Sequence, residues 1–348
     1  MAHIAIAGFS GKVGDCLSRF RPTGVTLTGL VHKTMPVTAE STRIAENFNI
    51  TDSMQVKETV RDLARDGVRT IINAVGSVDI DAIEKERYAD DPTVLSAYKI
   101  NTFGAECLAK ACAEISAEDA EILLLHISTE SVFGDNLYGA KYQEEDDPAI
   151  PRDPTGMVRY GDIVTMPTMY GLTNALGEQK VLEKYRDGSV VVRMHGVQGP
   201  RQCFFARTAT ELVEGQAFTR VDDMYVAHLV DATIAEAVFA IEEGMHDVKR
   251  RTRGIYHLSA SDALTPYDIT LRFADILKIP KCLVTSLSLE ALIESSRSGD
   301  KPMARRPHYT ILDVSKFGRD FYHLPTVEQE IHKYIALYGS LFQSLPAG

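Results

Sequence analysis

Cysteine is scarce. The 348-residue chain holds five, at Cys16, Cys107, Cys112, Cys203 and Cys282. The number is odd and no pair has metal-ligand spacing, so no metal site is expected. Cys107 and Cys112 lie in one helix-like stretch and read as buried thiols. Long apolar runs are also missing: none approaches the ~20 residues of a membrane-crossing helix. The apolar start of MAHIAIAGFSG is too short for a signal peptide and passes straight into a glycine motif. The expectation is a reducing, cytoplasmic setting without a membrane partner. Positive charge is sparse too. The 37 Lys and Arg stand against 48 Asp and Glu, a formal net charge of −11, and the one basic cluster is Lys249, Arg250, Arg251 and Arg253. A nucleic-acid partner is therefore not expected, although a local pocket of an acidic protein can still hold an anionic cofactor. Repeats and low-complexity tracts are absent.

What is present is core-forming material, 45% hydrophobic residues with 24% charged. β-Branched apolar runs alternate with amphipathic ones. Strands are expected at 3–7, 25–31, 68–75, 121–127, 189–194 and 254–258, with helices at 12–20, 53–65, 97–115, 168–185 and 228–243. The strand runs are apolar throughout, as when helices cover both faces. This alternation implies an α/β fold with a doubly wound parallel Rossmann sheet. After about residue 200 the rhythm loosens. The expected division is a dinucleotide-binding domain over 1–200 plus about 222–260, and a smaller C-terminal substrate lobe over about 201–221 plus 261–348.

Residues 7–14, AGFSGKVG, set Gly8, Gly11 and Gly14 at GxxGxxG spacing between the first strand and the first helix. In that context the glycines allow a tight turn, close approach of a pyrophosphate and close helix–strand packing, and the helix N-terminus favours an anion. Gly8, Phe9, Ser10, Gly11, Lys12, Val13 and Gly14 are thus candidate cofactor residues. The end of the second strand discriminates between dinucleotides, because an acid there holds the ribose 2′-hydroxyl of NAD. This chain reads GLVHKT, with His32 and Lys33 and no acid. NADP(H) is therefore expected over NAD(H).

Further stretches carry a resemblance: NAVG (73–76), KIN (99–101), HISTESVFG (126–134), YQEED (142–146), YGLTNALGE (170–178), VVRMHGVQG (191–199), GIYHLSAS (254–261) and RRPHYTILDVSKF (305–317). In order and spelling they resemble the extended short-chain dehydrogenase/reductase superfamily. Within it they are similar to dTDP-4-dehydrorhamnose reductases and to the regulatory beta subunit of methionine adenosyltransferase. The 148–167 segment is longer than expected there and is a candidate for reshaping the substrate pocket.

The resemblance implies residue roles. Tyr170 matches the general acid, Thr129 the hydroxyl that helps bind the substrate oxygen with Ser128 behind it, and Asn174 the position of the family's lysine. That lysine binds the nicotinamide ribose and lowers the tyrosine pKa. An amide can keep the ribose hydrogen bond but carries no charge. Lys99 is a candidate substitute cation. Asn49, Ile50, Asn73, Ala74, Val75, Gly76, Asn101 and Val197 are expected at the cofactor, and Ser77, Glu130, Arg305, Arg306 and His308 at the substrate. Two functions follow. One is an NADP(H)-dependent reductase, or an epimerase, of a nucleotide-linked 4-keto sugar. The other is a catalytically impaired NADP-binding pseudoenzyme that regulates a partner enzyme. A homodimer is a further expectation from the resemblance.

Overall fold

The computed structural model describes residues 2–35, 43–85, 96–118, 121–134, 158–160, 163–165, 168–215, 217–297 and 303–343. The acidic motif 142–146 and most of the long 148–167 segment lie outside them. Within that segment, Val158–Tyr160 and Ile163–Thr165 pair antiparallel.

Eleven strands are assigned among the described residues. They are β1 (His3–Ala7), β2 (Thr26–Leu30), β3 (Arg43–Ala45), β4 (Thr70–Asn73), β5 (Leu123–Thr129), β6 (Val158–Tyr160), β7 (Ile163–Thr165), β8 (Ser189–Met194), β9 (Phe218–Val221), β10 (Gly254–Leu258) and β11 (Val284–Leu287). Seven form the main sheet in the order β10-β8-β5-β4-β1-β2-β3. Every pairing in it is parallel. The helices that cover it begin with α1 (Lys12–Arg19), α2 (Ser53–Arg65), α3 (Ile80–Lys85), α4 (Ala105–Glu118) and α5 (Met169–Tyr185). On β1, Ile4 and Ile6 join one apolar cluster while Ala5 and Ala7 join another on the opposite face. Two-sided burial is the reason these strands read as continuous apolar runs. The strand order reverses beside β1, between β2 and β4, which opens a crevice at the carboxyl ends of those strands.

The later chain supplies α6 (Phe204–Glu214), α7 (Asp231–His246), α8 (Pro266–Leu277), α9 (Leu289–Arg297), α10 (Ser315–Asp320), α11 (Val327–Tyr338) and α12 (Ser340–Gln343). β9 and β11 pair in a small separate sheet. α11 returns to the main sheet's helices: the Tyr338 hydroxyl donates to Asp231 of α7 at 2.7 Å, and Arg19 of α1 donates to Tyr338 at 2.8 Å.

Two elements differ from their sequence reading. The helix expected over 97–115 opens as a π-helical turn, Tyr98–Gly104, before α4. Such turns gather at functional positions, and this one carries buried Asn101, bonded to two other elements. The helix expected from 228 starts at Asp231. The residues before it are used in bridge pairs, Val226 with Leu264 and Val230 with Gln198.

α5 lies unusually close to its supports. A Cβ on Gly171 would fall 2.2 Å from the Ser131 carbonyl oxygen, and one on Gly177 would fall 2.2 Å from the Asn101 carbonyl oxygen. Both obstacles are backbone, so neither can swing aside. Gly177→Ala should therefore lower the thermal unfolding midpoint, with a cost of about 1–3 kcal/mol for overpacking. Alanine is the better helix former by about 1 kcal/mol, so a raised midpoint would show that the close contact is absent.

Candidate active site

The crevice is built from the glycine loop upward. Gly8 turns with φ of 81°, and a Cβ there would lie 2.6 Å from the Ala74 carbonyl oxygen. A Cβ on Gly14 would meet the Phe9 carbonyl oxygen at 2.2 Å, so α1 can pack only against glycine. α1 begins at Gly11 without a side-chain cap, which leaves its first N–H groups for a ligand. A cavity of about 560 Å³ opens over this loop. Gly8, Ser10 and Gly11 line it, with His32 and Lys33 beyond β2, Asn49 and Ile50 before α2, and Ala74, Val75 and Gly76 after β4. Asn49 Oδ1 accepts from the Thr51 amide at 3.1 Å, leaving the amide nitrogen as its donor to a ligand. These residues make a cradle for a dinucleotide: space only glycine leaves, exposed backbone donors and cations at one end.

Several expected cofactor residues point elsewhere. Phe9 is fully buried and packs over Gly29, and Val13 packs against the same core. The Lys12 ammonium reaches the Gln202 carbonyl at 2.5 Å. Val197 is buried in the core. Asn73 and Asn101 act from beneath. The Asn73 amide oxygen accepts the Val75 N–H at 3.2 Å, and its nitrogen meets His126 Nδ1 at 3.0 Å. Burial holds His126 down at about 4, so it is neutral. Asn101 accepts the Ser77 N–H at 2.7 Å, donates to the Ser77 carbonyl at 3.1 Å and to Thr173 Oγ1 at 3.2 Å. Both asparagines thus shape the 74–77 strip that lines the cleft, and Ser77 is held by its backbone.

The expected catalytic pair does come together. Thr129 closes β5, and Tyr170 stands in the first turn of α5, which lies against the Ser131 backbone two residues beyond Thr129. Thr129 donates to Glu130 Oε2 at 2.8 Å and accepts the Ser131 N–H at 3.2 Å. Burial first, and then the Glu130 carboxylate, push the Tyr170 phenol up to about 12. Asn174 is buried, and its amide nitrogen donates to the Tyr170 carbonyl at 2.8 Å. One of its two N–H groups is therefore committed within α5, and the second N–H and the amide oxygen are left for the expected ribose contact. Lys99 is exposed and lines the dinucleotide cavity. Its place in the structure is thus at the dinucleotide cavity. Ser128, behind Thr129, donates to Glu178 Oε1 at 2.5 Å.

A second cavity, of about 220 Å³, lies over Glu130 and Ser131 and is closed by Arg305, Arg306 and Thr310. Its wall is pinned by the Tyr225 N–H, which donates to the His308 carbonyl at 2.7 Å, and by stacking of Tyr225 on Tyr309. Arg305 is exposed at the rim. Arg306 bonds Asp81 of α3 at 2.8 Å, so part of its charge is already answered. His308 is not among the lining residues. Two lining residues, His195 and His228, have no counterpart among the expected ones. His195 Nε2 donates to the Thr310 carbonyl at 2.7 Å, while Nδ1 lies 3.9 Å from Glu130 Oε1. Burial and His195 hold His228 far down, at about 3. His195 sits in the VVRMHGVQG stretch, four residues before Gly199, so its place just beyond β8 was the available signal.

Comparison with known proteins adds the family. The family model described as RmlD substrate binding domain matches residues 2–339. The dTDP-4-dehydrorhamnose reductase of Escherichia coli is 26% identical over 329 residues, covering 92% of each chain. Among solved structures, the dTDP-4-dehydrorhamnose reductase of Bacillus anthracis, in complex with NADP, has a TM-score of 0.69 at 20% identity, covering 97% of this chain and 99% of that one. The Bordetella bronchiseptica enzyme WbmG, in complex with NAD, has a TM-score of 0.68 at 17% identity, covering 98% and 94%. At those identities the structures speak to the fold, which is the same Rossmann-type parallel sheet flanked by helices. With nearly its whole length matched, the chain belongs to the RmlD substrate binding domain family of extended short-chain dehydrogenase/reductase proteins.

Proposed function

We propose that the chain is an NADP(H)-dependent reductase of a nucleotide-linked 4-keto sugar. The observation that carries this reading is the packing of the first turn of α5, which bears Tyr170, against the turn that follows Thr129 at the carboxyl end of β5, with a glycine-built dinucleotide cradle and a separate arginine-rimmed cavity. When bound, the dihydronicotinamide supplies the hydride to the keto carbon. Tyr170 holds a proton at its phenol oxygen for the oxygen of the reduced carbonyl. Thr129 sets the phenol's position, and Arg305 and Arg306 offer charge-assisted bonds to a sugar-linked diphosphate. The curated relatives named dTDP-4-dehydrorhamnose reductase make that 4-keto sugar the first substrate to assay.

Cofactor choice rests on the exposed His32 and Lys33 beyond β2. A 2′-phosphate there gains a charge-assisted contact that NADH lacks. Lys33→Glu should weaken NADPH binding about tenfold or more and leave NADH nearly unchanged, as expected for a lost contact of about 1.5–3 kcal/mol. Tighter binding of NADH than NADPH by the wild type, in a fluorescence titration, would overturn the preference.

Tyr170→Phe should cut turnover of dTDP-4-dehydrorhamnose by about 10²–10⁴-fold, the worth of a positioned general acid. NADPH affinity should stay the same, because only the hydroxyl is lost. Undiminished turnover, or none in the wild type, would favour a regulatory binding protein.

The missing lysine bears on the pH dependence of each direction. A phenol that ionises at about 12 stays protonated at neutral pH, so it can donate in reduction but is a poor base in oxidation. Oxidation should therefore rise with pH up to that value. Asn174→Lys should bring the apparent pKa of oxidation down by about 1–3 units, the effect of a nearby cation on a tyrosinate. The check is a pH–rate profile of both directions in both proteins; a low pKa already present in the wild type would refute the account.

A further inference from the structure

His228 lines the substrate cavity, and its ring makes no hydrogen bond among the described residues. The ring is packed by aromatics instead. Phe205 meets it edge-on at 5.9 Å, Phe204 lies tilted at 5.8 Å and the His195 ring stands perpendicular at 5.9 Å. The backbone on either side is held: Val226 exchanges hydrogen bonds with Leu264, and the Leu229 carbonyl accepts the Gln198 N–H at 3.2 Å. The position of the ring is thus set by the fold, while its polar atoms are left unspent.

The two ring nitrogens differ. Nδ1 is sealed from solvent and has no partner; Nε2 is not among the sealed atoms. A buried N–H without an acceptor is rare and costly, whereas a buried lone pair is met more often. The single proton of the neutral ring therefore belongs on Nε2, the nitrogen still open to a ligand. Burial and the neighbouring His195 hold the ring far down, at about 3, so this donor is uncharged near neutrality. His195 is fixed in the same tautomer by a different cause, since its Nε2 proton goes to the Thr310 carbonyl at 2.7 Å. When that ring is uncharged, its Nδ1 is an acceptor. Nδ1 lies 3.9 Å from Glu130 Oε1, beyond hydrogen-bond reach and opposite a second acceptor. One ring thus offers a proton and the other a lone pair. Their centroids are 5.9 Å apart, which matches two hydrogen bonds of about 2.9 Å meeting at one oxygen. Of the groups on a nucleotide sugar, a hydroxyl alone both accepts and donates. A carbonyl or a phosphate oxygen would leave the His195 lone pair unanswered, and a phosphate would also face Glu130.

We propose that His195 and His228 read a hydroxyl of the sugar, which accepts from His228 Nε2–H and donates to His195 Nδ1. The inference rests on the reductase reading above and adds the two residues that select the sugar. Arg305 and Arg306 answer the diphosphate, so affinity for the sugar and affinity for the nucleotide are carried by different groups.

The probes are dTDP-rhamnose, the alcohol that the proposed reduction would give, and dTDP, titrated by calorimetry into the protein loaded with NADP. His228→Phe keeps the aromatic packing and removes both nitrogens. It should lose about tenfold or more of the preference for dTDP-rhamnose over dTDP. His228→Gln, whose amide nitrogen falls near the place of Nε2, should keep most of that preference. His228→Asn, whose amide falls near Nδ1, should not. A preference that survives in His228→Phe, or that Gln and Asn lose alike, overturns the proposal, and turnover of dTDP-4-dehydrorhamnose by the wild type then leaves the reductase reading standing. A wild type with neither turnover nor a preference for dTDP-rhamnose overturns the reductase reading and the proposal with it. The tautomer is read without any ligand. Nitrogen NMR of the wild type, with the His228 signals identified by their loss in His228→Gln, should show Nε2 protonated and Nδ1 bare at neutral pH. A proton on Nδ1 would overturn the proposal whatever the titrations give.

Discussion

The site depends on one buried ion pair. Glu178 of α5 and Arg193 of β8 are both almost fully buried. Arg193 Nη2 donates to Glu178 Oε2 at 2.7 Å and Nε donates to Oε1 at 3.0 Å, while Ser128 of β5 donates to the same carboxylate. The guanidinium also lies over the Phe133 ring at 4.7 Å. One charge pair thus ties α5, β5, β8 and the turn after Thr129 at a single point. Removing one partner of such a pair leaves an unanswered buried charge and costs about 3–5 kcal/mol, a large part of the 5–15 kcal/mol that holds a typical domain together. Gly171 and Gly177 let the helix lie flat, and Glu178 keeps it there. Tyr170 is carried on a helix fixed about two turns away at Glu178, and Thr129 follows Ser128, which is fixed to the same carboxylate.

This arrangement separates two kinds of charge. The Glu178–Arg193 pair is neutral as a unit and sits below the chemistry. Glu130 sits above it, against the phenol and open to the substrate cavity. Where a lysine would favour the ionised phenol, an anion and burial favour the protonated one. The local field is therefore reversed by two neighbouring choices, an amide at 174 and a carboxylate at 130.

Much of this was legible in the sequence because it follows from period and punctuation. The strands buried on two faces read as unbroken apolar runs, and β8 and β10 fall on their expected residues. The glycine loop is readable because Gly8 and Gly14 meet backbone constraints that no other residue satisfies. Less legible are roles that depend on side-chain direction. Asn73, Asn101 and Asn174 all stand near the cleft in sequence order, yet each spends its amide on backbone or on a neighbouring side chain. Phe9 and Val13 turn into the core within a loop whose Gly8, Ser10 and Gly11 line the cavity. Periodicity also cannot show that Glu178 and Arg193 share a site, since they belong to different elements. The π-helical turn at Asn101 was hidden for a related reason: its local residues form helix readily, and it is tertiary bonding that accompanies the wider turn.

The distribution of cations completes the argument. With a net charge of −11, the molecule as a whole repels the anionic ligands proposed for it. At the two outer ends of the combined site the local sign is opposite: His32 and Lys33 stand at the dinucleotide end, Arg305 and Arg306 at the other. The centre holds Glu130. On the reductase reading, anionic phosphates would favour the two ends, and the keto group, uncharged until hydride arrives, would be left to the middle.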